Sequence, residues 1–214
     1  MLVKESTLTV EFASESVEEN LLAALAHEIR QPLGAIESIA YYLSLVLPED
    51  DKHREQLARV QQLVEQSSWI LSNGLAMMDQ RPARLEALDV SELIAQAISA
   101  RPPSLDPPII FHLAARPLVR LDPGYGRALI ENLLALFRQV ATKTHPMRLR
   151  TGIASDGVEI DFSTKAPGYC SIASLPPGSG LSLDSAHRIA AMHGGRLQYS
   201  IDPVSGIRVR VMLP

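Results

Sequence analysis

The chain has 214 residues, 46% of them apolar and 21% charged, with a formal charge of −4 and a mean hydropathy of +0.07. These figures exclude wholesale disorder; no Lys/Arg run supplies a basic stripe for nucleic acid, and no apolar stretch approaches the roughly 18–20 residues that span a bilayer. The single cysteine, Cys170, excludes an internal disulfide and a cysteine-based zinc site, and fits a reducing, cytoplasmic setting.

The N-terminus mixes Lys, Glu, Ser and Thr among its apolar residues, unlike a secretory signal. Beyond it, Leu22, Leu25, Ile29, Pro32, Ile36, Ile39, Leu43 and Val46 recur in alternating steps of three and four, the seam of a long helix. The turn Leu47-Pro48-Glu49-Asp50-Asp51 ends it, and a second seam follows at Leu57, Val60, Val64, Ser67, Leu71, Gly74 and Met78. One hairpin cannot bury both seams. Residues from about 15 to 80 are therefore expected to form half of a dimeric four-helix bundle, making the protein a homodimer.

Gln80-Arg81-Pro82-Ala83-Arg84 breaks the helical period as a linker. Asp89 or Ser91 caps a short helix through Ile98, and a proline-rich stretch from Arg101 to Pro108 precedes strands at Ile109–Leu113 and Leu118–Leu121. Asp122-Pro123 opens a helix through about Val140. Residues 147–153 and 158–162 alternate as a hairpin, and a Pro/Gly/Ser-rich loop runs from Ala166 to Gly180. A helix from Leu181 to His193 and a last hairpin over 196–201 and 207–212 follow. The fold class is α+β: the helical hairpin, then, over residues 86–214, a sandwich with helices on one face of a mixed sheet.

His27 carries the most chemical information. With Leu22 at heptad position a, His27 falls at f and points away from the seam, where its imidazole is open to a partner. Glu28 follows it, Gln31 lies one turn on, and Pro32 removes a helical hydrogen bond beside it. The run Leu25-Ala26-His27-Glu28-Ile29-Arg30-Gln31-Pro32-Leu33 resembles the phosphoacceptor box of the two-component sensor histidine kinases. The resemblance implies His27 as the phosphorylated residue, Glu28 as its orienting acid/base and Gln31 beside the water path of any dephosphorylation. It also implies a response-regulator receiver domain as partner.

Residues 86–214 resemble that family's ATP-binding domain, with departures. Asn132, in Glu131-Asn132-Leu133-Leu134, matches the first asparagine of the asparagine box. The second, which in the family holds magnesium, falls on Leu136, and the usual lysine on Gln139. Leucine has no oxygen for a hard cation, so no metal ligand is assigned. At the first glycine box Thr164 stands in the place of the adenine-reading aspartate and Gly168 keeps the closing glycine, while Asp161 is turned to the opposite strand face. Gly178 and Gly180 resemble the second box, with Ser182 in place of its third glycine. Only Tyr169 to Pro177 separate the boxes, a trimmed lid without a charge.

Three functions remain open on the sequence. The preferred one is a phosphorelay protein that exchanges a phosphoryl group between His27 and receiver aspartates, its ATP-binding domain degenerate. The second is an active kinase core using magnesium and ATP at Asn132, Thr164, Gly168, Gly178 and Gly180. The third is a non-catalytic scaffold that docks receivers.

Overall fold

The computed structural model describes residues 5–47, 51–78, 82–100 and 107–214, and the chain divides into two compact units, 1–79 and 80–214. The turn expected at 48–50, part of the linker at 80–81 and the proline-rich stretch 101–106 lie outside the described residues.

In the first unit, helix α1 spans Glu5–Val46 and α2 spans Asp51–Met78. α1 starts well ahead of residue 15 because no Gly or Pro precedes Pro32 to stop it. It also continues through Pro32, which has no N–H for the Glu28 carbonyl one turn back. The face of α1 turned to α2 is one position on from the expected seam. Ala26 and Ala40 are buried and Leu33 half-buried, a repeat of seven at heptad position e, where small side chains admit the opposing helix. Most of the described seam stays in solvent: Leu25, Ile29, Ile36 and Ile39 are 44–60% exposed, while Leu43 is half-buried. On α2, Val64 is buried. The side chains of Leu22 and Met78 lie outside the described residues.

The second unit joins strands β1 (Glu86–Asp89), β2 (Ile109–His112), β3 (Leu118–Leu121), β4 (Met147–Ala154), β5 (Gly157–Thr164), β6 (Arg196–Asp202) and β7 (Gly206–Leu213) with helices α3 (Val90–Ser99), α4 (Pro123–Val140) and α5 (Ser179–Met192). β1 and β3 form an antiparallel ribbon. The other five strands run β2-β4-β5-β7-β6, parallel at β2–β4 and antiparallel elsewhere. Alternation sends Leu149, Ile160, Phe162, Val209 and Val211 to one face, where they pack with Leu129, Leu133 and Phe137 of α4 and Ala186 and Ile189 of α5. Asp89 caps α3 by accepting from the Ser91 and Glu92 amides, and Asp122 caps α4 through the Gly124 and Tyr125 amides.

Two elements were not expected. β1 shows no apolar alternation and exists because β3 pairs with it. Inside the loop before α5, a 3-10 turn forms at Ile172–Ser174, held by the Ser174 hydroxyl, which accepts from the Cys170 and Ser171 amides.

Candidate functional site

On α1, His27 is exposed at the outward position its heptad place implies. Gln31 is its hydrogen-bonding neighbour, with Nε2 of the amide 3.3 Å from Nε2 of the ring. With the amide nitrogen facing the ring, Gln31 donates and His27 Nε2 accepts, an arrangement that goes with the imidazole proton on Nδ1. Residues four apart share a helix face, whereas Glu28, the next residue, is turned about 100° away and makes no hydrogen bond to the ring. The structure thus brings together His27 and Gln31, with Glu28 left in solvent. Nearby, Arg30 donates to Ser72 Oγ of α2 at 3.2 Å and fixes this stretch of the hairpin.

In the sheet domain, the residues expected to meet nucleotide are engaged within the fold. Asn132 is buried on α4 and donates through Nδ2 to Ser185 Oγ of α5, 3.0 Å away. Leu136 is fully buried among the core side chains. Thr164 is buried at the end of β5, and its hydroxyl donates to the His145 carbonyl at 2.9 Å. Asp161 lies on the opposite face of β5, gripped by the Arg208 guanidinium, whose Nε is 3.1 and 3.0 Å from the two carboxylate oxygens. That hydrogen bonding holds the Arg208 pKa above the ordinary arginine value against the opposing effect of burial.

The glycine positions keep their backbone character. Gly168 has φ +94° and Gly178, the residue ahead of α5, φ +87°, a left-handed conformation that other residues adopt at a cost. Ser179 follows, buried, with a hydroxyl that has no hydrogen-bond partner. At Gly180 a Cβ would stand 3.3 Å from Cγ2 of Ile172. The short lid therefore rests an isoleucine methyl beside the helix N-terminus, and Leu175 anchors it in the core. Ser182, where the family pattern has glycine, is fully buried.

Magnesium and nucleotide do not fit this set of groups as it stands. The second asparagine position offers a buried leucine, Nδ2 of Asn132 and the Thr164 hydroxyl serve internal hydrogen bonds, and the Asp161 carboxylate is ion-paired on the opposite strand face. Among the described residues no cluster of three His, Cys, Asp or Glu side chains is placed to hold a metal.

Comparison with known proteins gives one consistent answer. No protein-family model matches the chain. It is 28% identical to the sensor protein KdpD of Escherichia coli K12 over 221 residues, covering 94% of this chain and 25% of that protein. With the sensor histidine kinase ZraS of the same organism the identity is 24% over 210 residues, covering 91% and 45%. The chain is related to the sensor histidine kinases. They are transferases of two-component signal transduction. Among solved structures, full-length ShkA in complex with AMPPNP superposes with a TM-score of 0.60 at 19% identity, covering 91% of this chain and 45% of that one. The cytoplasmic segment of the histidine kinase QseC gives 0.54 at 14% identity, covering 79% and 98%. These likenesses extend over both the helical hairpin and the α+β sandwich expected from the sequence. The chain spans less than half the length of these two curated relatives. No described helix is long and apolar enough to cross a membrane.

Proposed function

We propose that this chain is a dimeric phosphorelay module that carries a phosphoryl group on His27, receives it from and returns it to receiver aspartates, and does not load itself from ATP. The observation that carries the reading is the contrast between an exposed, intact His27 box and a nucleotide region in which Leu136 fills the core. In the transfer, the Nε2 lone pair of His27 attacks the phosphorus of an aspartyl phosphate. The N–P bond forms as the P–O bond breaks, and the aspartate leaves as carboxylate. The imidazolium so made sheds its Nδ1 proton to water or to Glu28, the carboxylate next along the chain. Gln31 must first release Nε2, so it acts as a positioning residue that holds the ring in one tautomer between transfers.

The exposed seam Leu25, Ile29, Ile36 and Ile39 supports the homodimer, since a second hairpin would cover it. One observation favours the second reading, an ATP-dependent kinase core: the left-handed Gly178 and the unpartnered Ser179 hydroxyl leave an anion-binding helix start at α5. Losing a magnesium ligand and a charged adenine reader removes about 1.5–3 kcal/mol each, or two to four powers of ten in affinity. Radiolabelled ATP with magnesium should therefore leave the protein unlabelled at millimolar concentration, while a phosphorylated receiver labels it. His27→Ala should abolish that labelling with the helical circular dichroism unchanged. Prompt acid-labile labelling by ATP that disappears in His27→Ala would establish the kinase core instead.

A further inference from the structure

Strand alternation gathers arginines that the sequence scatters. On the sheet face away from the helices, β4 presents Arg148 and Arg150, and β7 presents Arg208 and Arg210. β5 lies between them, with Arg148 and Arg208 flanking Ser163 in register and Arg150 and Arg210 flanking Asp161. At the usual strand spacing and residue rise, the four Cα positions mark a rectangle about 10 by 7 Å. Asp161 takes Arg208 as its partner, and Glu159 lies 3.4 Å from Arg210. Arg148 and Arg150 are exposed, and neither is ion-paired to any described residue. The core draws its side chains from the opposite face, so no helix of this domain covers the four. The positive charge is also regional: residues 80–214 have fifteen Lys/Arg against eleven Asp/Glu, residues 1–79 five against thirteen.

We propose that this open face, centred on Arg148 and Arg150, is a docking surface for a protein partner that presents carboxylates. The composition favours protein over nucleic acid or membrane. All four cations are arginine, the residue enriched at protein interfaces for its flat, bidentate and weakly hydrated head, and none is lysine. Asp161 and Glu159 sit inside the patch, where a continuous phosphate backbone would meet them as repulsion and discrete carboxylates on a folded partner need not. Ile110, 42% exposed and in register with Arg148, adds the apolar contact that such interfaces mix with charge.

The full chain, titrated with fluorescent poly-glutamate at low salt, tests this by anisotropy. Wild type should bind, and Arg148→Glu with Arg150→Glu should weaken binding by about tenfold or more. Arg120→Glu with Arg127→Glu, the same charge change off the face, should leave it near wild type. If the reversed pair fails to fold, Arg148→Gln with Arg150→Gln provides the same comparison without new charge. Absence of binding by wild type, or equal loss in both pairs, overturns the proposal. So does tighter binding to duplex DNA or to phosphatidylserine vesicles than to poly-glutamate.

Discussion

The helical hairpin and the sheet domain solve the burial problem in opposite ways. The sheet domain closes on itself: Phe137, Phe162, Ile94, Leu129 and Leu136 are all fully buried in one chain. The hairpin places small residues, Ala26 and Ala40, at its internal contact and leaves its large ones, Leu25, Ile29, Ile36 and Ile39, outside. A unit that finishes its core alone has no further need of a ligand or partner to be stable. One that does not is built for company. On that comparison the hairpin keeps the histidine proposed to carry phosphate and an unfinished face, whereas the sheet domain buries Leu136 where the family pattern has an asparagine.

The largest effect should come from breaking the unfinished face. Leu25→Glu with Ile29→Glu replaces side chains already half in solvent, so it costs the isolated hairpin little. Each removes about 0.8–1.5 kcal/mol of burial per protomer from a dimer, half the value for a fully exposed side chain, before the cost of desolvating the new charge. Light scattering should then show a monomer where wild type is a dimer at micromolar concentration, with the unfolding of the sheet domain unmoved. A wild-type monomer at that concentration would remove the basis for the comparison.

Next comes the filled position. Leu136→Asn restores the residue type that holds magnesium in the family, but it places an amide where the surroundings are Leu133, Phe137 and their neighbours. Lost burial and an unsatisfied polar group together should cost about 3–5 kcal/mol. The sheet domain should melt well below wild type and the dimer should persist. A Leu136→Asn protein of wild-type stability that binds nucleotide would show that the pocket is only masked.

Much of this was legible in the sequence because it is local. The caps Asp89 and Asp122 announce themselves by residue type, β4, β5 and β7 by alternation, and the outward place of His27 by its heptad position. What was not legible depends on neighbours distant in the chain. β1 exists through β3. The face of α1 that meets α2 moved by one position because the alanines, weak in any hydropathy pattern, are the residues that let a helix approach. The resemblance implies Glu28 as the acid/base of His27; the hydrogen bond to the ring that helical pitch brings within reach comes from Gln31, which no local pattern announces. The duties of Asn132 and Thr164 are set by Ser185 and by the His145 carbonyl, and no local pattern encodes such pairings. The basic face is the clearest case: four arginines that make no run become neighbours only through sheet register.

The smallest expected effect lies in the turn between β6 and β7, where the sheet domain depends on nothing beyond itself. Asp202 Oδ1 accepts from the Ser205 amide at 2.7 Å, the Ser205 hydroxyl at 2.9 Å and the Val204 amide at 3.0 Å. The chain then enters Gly206 at φ +87°, where a Cβ would collide with the Thr164 carbonyl. The hydrogen bonds from Ser205, backbone first, and then that from Val204 hold the Asp202 carboxyl below the usual aspartate pKa, against a smaller opposing effect of burial. A depressed folded-state pKa means that the unfolded chain binds the proton first. The turn's contribution is therefore complete above the unfolded value near 3.9 and fades as pH falls through the folded one. An asparagine side chain can accept the same bonds without charge, so Asp202→Asn should cost little at neutral pH and flatten the acid end of the stability profile. Chemical denaturation of the full chain at a series of pH values reads this directly. Because the turn is internal to one protomer, the flattening should be the same at every protein concentration, whereas stability of the hairpin should rise with it. An Asp202→Asn effect that changes with concentration would mean that the two units do not keep their stabilities apart.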